Sequence, residues 1–226
     1  MAAATDDRTA GALWRAGHLA AEYTVLPDGC MDIIWTGEHL LIVGADTAPY
    51  VGHSDNGWSP IGFRFHPGVA PSVIGHDAQA LTDSRIPAAD LWPSARVAEW
   101  TERLWGSTDP AATLTALCTE RAGRPPRVAA AATLLGTGRP IADVADRLGV
   151  TTRTLHRLSL RHFGYGPKTL ARILRMRRAL DLLPGDDPTT VAYAAGYADY
   201  AHMFRDLTEL TGRSPVTFTA NQESAQ

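Results

Sequence analysis

The sequence predicts an α+β protein: a small N-terminal β-roll or barrel with helices, followed by a C-terminal all-α domain of two helix-turn-helix motifs joined by a long helix. Three observations carry this expectation. Short β-branched or aromatic runs bounded by Gly, Pro and Asp fall within the first 65 residues, and all six tryptophans (Trp14, Trp35, Trp58, Trp92, Trp100, Trp105) lie in the first half. Charge also changes sign along the chain. Residues 1–120 hold 6 Arg and no Lys against 15 Asp plus Glu, a net of −9, whereas residues 121–226 hold 14 Arg and one Lys against 9 acids, a net of +6. These halves combine into the overall −3, which taken alone would argue against a nucleic-acid partner. We therefore expect two domains, 1–122 and 123–226, meeting near Arg124-Pro125-Pro126-Arg127.

A composition of 45% hydrophobic and 20% charged residues excludes a disordered or fibrous chain. No run approaches the ~20 apolar residues of a membrane span. The acidic N-terminus lacks the basic-then-apolar order of a secretory signal, so a cytoplasmic protein without a membrane partner is expected. Two cysteines, Cys30 and Cys118, are too few for a disulfide framework or a four-thiolate zinc site.

In chain order, Met31 to Trp35, His39 to Val43 and Ile61 to Phe65 read as strands, with turn chemistry at Pro27-Asp28-Gly29 and Asp55-Asn56-Gly57. Helices follow at Pro71 to Leu81, Pro93 to Trp105 and Pro110 to Arg121, each with an early Pro. Val128 to Leu135 is a further helix, ended by Gly136 through Pro140. Ile141, Val144, Ala145 and Leu148 then repeat at i, i+3, i+4 and i+7, the apolar face of a short amphipathic helix that stops at a left-handed Gly149. Thr151 or Thr152 caps the next helix. In it Leu155 and Leu158 point inward while Arg153, His156, Arg157 and Arg161 stay outside. Gly164 ends it, and Pro167 opens a long helix to Leu183.

An internal repeat gives these helices a purpose. Val144-Ala145-x-x-x-Gly149 recurs 47 residues later as Val191-Ala192-x-x-x-Gly196; Leu155-x-Arg157 matches Met203-x-Arg205, and Gly164-x-x-Pro167 matches Gly212-x-x-Pro215. A helix, a Gly turn and a second helix form the helix-turn-helix plan, in which the second helix enters a major groove about 12 Å wide. Two copies imply insertions at adjacent groove segments roughly 34 Å apart. Between Arg147 and Arg178 nine basic residues occur without an acid, an electrostatic footprint for phosphate.

The stretches ADVADRLGVTTRTLHRLSLRHFGYGPKTLARILRMRRAL and AAGYADYAHMFRDLTELTGRSPVTF resemble the two-motif DNA-binding domain of AraC/XylS-type transcription regulators. The front half, with LPDGCMDIIW and GFRFHPGVAPSVIGHDAQALTD, is similar to the variable sensor regions of some actinobacterial-type members. The resemblance implies a sequence-specific regulator of a double-stranded DNA operator, responding to a small-molecule effector, with a homodimer and RNA polymerase as further partners.

By position in the family motif, Arg153, His156 and Arg157 face base edges from the first recognition helix, and Tyr200, His202 and Arg205 from the second. His202 has an equal alternative role, packing at the helix start. Thr152, Arg161, Lys168 and Arg172 would hold phosphates, which set register without reading sequence. Asp199 would cap the second recognition helix. That motif departs from the usual pattern: Asp206 and Glu209 stand where relatives carry basic residues, so these carboxylates must face away or the motif binds weakly. The first motif is expected to dominate affinity.

In the front half Trp35, Trp58, Phe63, Phe65 and Trp92 are candidates for an effector pocket with Arg64 or Asp32 as a polar anchor, against the plainer alternative of an ordinary core. Cys30 beside Asp28 and Asp32 leaves open a thiol or metal sensor, or an enzymatic front half with Cys30 as nucleophile; an architectural regulator without effector is a third reading. No Gly-x-Ser-x-Gly elbow, Walker loop, dinucleotide fingerprint, Cys-x-x-Cys or His-Glu-x-x-His spacing is present, so no enzyme, cofactor or metal is expected.

Overall fold

The computed structural model describes residues 10–16, 22–53 and 59–219. Its front half holds seven strands among the described residues: β1 (Gly11–Arg15), β2 (Glu22–Val25), β3 (Met31–Trp35), β4 (Leu40–Val43), β5 (Tyr50–His53), β6 (Ile61–Phe65) and β7 (Arg85–Pro87). Five form an antiparallel sheet in the order β1-β6-β3-β4-β7, and β2 pairs with β5 as a second, two-stranded sheet. The expected strands β3, β4 and β6 are there. Strands β1, β2, β5 and β7 were not legible, because GALWR, EYTV, YVGH and RIP are three to five residues long and lack the sustained β-branched runs that announce a strand. The Asp55-Asn56-Gly57 turn lies outside the described residues.

Pleating splits the five-stranded sheet into two faces. Met31, Ile33, Trp35, Leu40, Ile42, Phe63 and Phe65 join the core on one face. Helices α1 (Ala70–Ile74), α2 (Ala88–Leu91), α3 (Ser94–Trp105) and α4 (Pro110–Glu120) contribute Val73, Ile74, Trp100, Leu104, Leu114 and Leu117 to the same cluster. The helix expected over 71–81 breaks at Gly75, and a single 3-10 turn follows at Ala78–Ala80. Asp109 caps α4 by accepting from the Ala111 and Ala112 amides.

The C-terminal half is helical: α5 (Pro126–Gly136), α6 (Ile141–Arg147), α7 (Thr152–Phe163), α8 (Pro167–Leu182), α9 (Pro188–Ala195), α10 (Tyr200–Thr211) and α11 (Pro215–Thr219). The sequence repeat is a structural repeat, with α6-turn-α7 and α9-turn-α10 as two helix-turn-helix motifs joined by α8. Gly149 and Gly196 occupy the same place in each turn at φ of 63° and 91°, where a side chain would be strained. Recognition helices α7 and α10 start on matching caps: Thr151 Oγ1 accepts from the Thr154 amide at 3.1 Å, and Asp199 from the His202 amide at 2.7 Å. Val144, Leu155, Ile173, Met176, Val191, Met203 and Leu207 are each fully buried, so α8 is clamped between both motifs.

The front half packs on the first motif. Thr82 Oγ1 donates to the Gly164 carbonyl at 2.9 Å, and Arg161 on α7 pairs with Asp77 at 3.1 Å. Buried residues of both halves form one continuous cluster through Val69, Val128, Phe163 and Tyr165.

Candidate DNA interface and front-half cavity

Helix α7 buries Leu155, Ser159 and Phe163 and leaves Arg153, His156 and Arg157 exposed. This split follows from the 3.6-residue period, which puts 155, 159 and 163 on one face and the basic residues opposite. Thr152 is exposed at the helix's first turn and Lys168 at the start of α8. Among the described residues no ion pair is found for Arg153, Arg157 or Lys168, so their charges are open to a polyanion.

Two expected phosphate ligands are otherwise engaged. Arg161 is held by Asp77 of the front half, although both side chains remain largely solvated. Arg172 turns inward: its guanidinium donates to Asp206 at 3.0 and 3.1 Å and to Glu209 at 2.8 and 3.3 Å. Arg175 donates to the other oxygen of Asp206 at 2.8 Å. The carboxylates that would have repelled DNA are thus neutralised from α8, and Arg172 is engaged within the protein. Partial burial pushes the Asp206 carboxyl up, but hydrogen bonds from Arg175 and Arg172 outweigh it and hold the carboxyl below its ordinary range.

In the second motif Arg205 is exposed, whereas Tyr200 packs against the core. His202 is half-buried, edge-on to Tyr197 with ring centroids 5.2 Å apart, and its Nδ1 accepts a long 3.5 Å bond from the Ala198 amide. It therefore serves the helix start instead of pointing outward. Phe204, 37% exposed, stands beside Arg205 and was not singled out from sequence; an apolar residue among charged ones reads as core until its helix face is known.

A cavity of about 580 Å³ lies between the two sheets of the front half. Trp14 and Tyr23 form part of its lining, each lying across its cross-strand partner, Gly62 and Gly52 respectively. A Cβ at either glycine would collide with the ring it faces. Inside, Arg64 pairs with Asp28 at 2.9 Å and Asp32 at 3.1 Å, and Trp14 Nε1 donates to Asp32 at 2.7 Å. Arg85 grips Asp46 through two bonds of 2.6 and 2.7 Å while its guanidinium lies 3.6 Å over the Tyr50 ring. Burial raises the Asp32 carboxyl above its ordinary value, against the pull of Arg64 and the Trp14 hydrogen bond.

The aromatic candidates for this pocket need correction. Trp35, Phe63 and Phe65 point from the opposite face of the sheet into the helix-covered core, because side chains alternate along a strand and odd positions here face inward. Trp92 is buried among the helices, edge-on to Trp100 and donating to the Ile74 carbonyl at 2.9 Å. Trp58 lies outside the described residues. The even positions Asp32, Ile34 and Arg64 line the cavity instead, among them both expected polar anchors.

Cys30 lines the cavity as well, and burial together with Asp28 pushes its thiol well above the ordinary range. A nucleophile needs the opposite shift. Among the described residues no three His, Cys, Asp or Glu side chains gather as a metal site, and no helix is long and apolar enough to cross a membrane.

Residues 144–221 match the helix-turn-helix domain family, and residues 12–87 match a domain family of unknown function (DUF6597). With two capped motifs on one joining helix, the first match decides the matter. Residues 144–221 are a helix-turn-helix domain. An AraC-type DNA-binding domain protein from Chromobacterium violaceum is 22% identical over 45% of this chain and 96% of its own, with a TM-score of 0.42. A ligand-free ToxT variant from Vibrio cholerae covers 94% of this chain and 97% of its own at 9% identity and a TM-score of 0.52, so the two-part fold is shared along nearly the whole length. Wild-type ToxT with a bound unsaturated fatty acid matches over 95% of this chain and 97% of its own at 10% identity and a TM-score of 0.48. No curated protein matches. The chain thus joins a front region that matches DUF6597 to a helix-turn-helix domain.

Proposed function

We propose that this protein is a cytoplasmic, sequence-specific DNA-binding transcription regulator of the AraC type that reads its operator chiefly through α7, with Arg153, His156 and Arg157 at base edges and Thr152 and Lys168 at phosphates. Arg205 of α10 makes a lesser second contact. The carrying observation is the contrast between the recognition helices. Among the described residues Arg153 and Arg157 of α7 have no ion-pair partner, whereas α10 spends its carboxylates on Arg172 and Arg175 and offers one exposed cation, Arg205. Arg157 has the fork to take guanine O6 and N7 together, a contact worth about 1–3 kcal/mol of discrimination. The front-half cavity takes a small effector, which regulates only if it binds two conformations of the chain unequally. Selection from random duplexes tests the reading: a defined motif should be enriched by the wild type and lost with Arg157→Ala. Enrichment without any sequence preference would refute it.

A further inference from the structure

The cavity is apolar in most of its lining, through residues such as Leu13, Ile34, Leu41 and Val43, but five charged side chains among the described residues face it. Three are carboxylates (Asp28, Asp32, Asp46) and two are guanidiniums (Arg64, Arg85). Both guanidiniums are committed to aspartates. Arg64 spends Nε, Nη1 and Nη2 on Asp28 and Asp32, and Arg85 spends both terminal nitrogens on Asp46 and its face on Tyr50. A carboxylate ligand that took over one of these pairs would leave behind an unpaired aspartate whose side chain is at most 14% exposed. Among the described lining residues, the exposed His53 is the one other basic side chain.

Resting on the reading of this cavity as the effector site, we infer that its occupant is an organic cation with an aromatic or aliphatic body, such as a protonated amine. The surplus carboxylate supplies the counter-charge, and the electron-rich faces of Trp14 and Tyr23 favour a cation over an anion. The apolar walls require the body.

Three probes of one shape separate the classes: naphthylethylamine, naphthylethanol and naphthylacetate, titrated calorimetrically into the full chain. The amine should bind at least about tenfold more tightly than the acetate, with the alcohol between. Leu41→Trp, which fills the cavity, should abolish amine binding while leaving the circular dichroism spectrum intact. Equal binding of the three, or tighter binding of the acetate, overturns the ligand class but leaves the effector site standing. Amine binding that survives in a folded Leu41→Trp variant overturns the placement in this cavity. If no probe binds the wild type, the ligand class and the effector reading fall together.

Discussion

Removing the Asp206 carboxylate strands two arginines that α8 aims at it, at 3.0 and 2.8 Å, in a place where Asp206 is only 7% exposed. Asp206→Ala should cost about 2–3 kcal/mol, because an unpaired buried partner loses more than the bond itself is worth. For a chain of this size that lowers the thermal midpoint by roughly 5 to 10 °C. The pH dependence has a definite sign. Arg175 and Arg172 depress the folded-state pKa of Asp206, so its contribution is present above the ordinary carboxylate range and is lost as pH falls through the depressed value. Melting curves should therefore drop more steeply in the wild type than in Asp206→Ala below about pH 4. Parallel curves would show that this pair does not hold the second motif.

At the scale of elements, one loop touches both the cavity and the DNA-binding domain. Asp28 and Cys30 line the cavity, and Gly29 between them, at φ +82°, sits on the joining helix: a Cβ there would lie 3.3 Å from Leu170 Cδ1 and 3.7 Å from the Tyr165 hydroxyl. Gly29→Ala adds both backbone strain and a tight contact, and should lower stability by about 1 kcal/mol. It should also change the effector response more than it changes DNA affinity, as checked by duplex binding with and without ligand. An unchanged response would mean that the signal travels by another route. Much of the element plan was legible because its signals are local. Apolar residues at helical spacing, Pro and Gly at helix ends and the 47-residue repeat announced α3 to α10 and their turns. The cavity was not legible, since it depends on which sheet face each strand position takes and on Trp14 meeting Gly62 across a strand pair 48 residues apart. Arg172 misled for the same reason: its carboxylate partner lies 34 residues along the chain, on another helix.

For the whole molecule, the net charge of −3 conceals an acidic front and a basic back, and the fold reduces the apparent footprint further. Of the nine cations between Arg147 and Arg178, Arg147 pairs with Asp143, Arg161 with Asp77, and Arg172 and Arg175 with Asp206, while Arg178 donates to the Gly136 carbonyl and the half-buried Arg177 lies near Cys30 of the front half. Arg153, Arg157 and Lys168, joined by Arg205, are then the cations proposed to meet DNA. The logarithm of affinity against the logarithm of salt should accordingly fall with a slope of about −3 to −4, not the roughly −8 that nine contacts would give. The steeper slope would mean that internal pairs open on binding. The Asp77 pair is the weakest of these, being exposed and worth under about 1 kcal/mol.

The central claim is that the first motif dominates recognition. Affinities of the wild type, Arg157→Ala and Arg205→Ala for the selected duplex, measured at one salt concentration, test it most directly. Arg157→Ala should lose tenfold or more, on the order of 1–3 kcal/mol, and Arg205→Ala distinctly less. A larger loss at Arg205 would contradict the account.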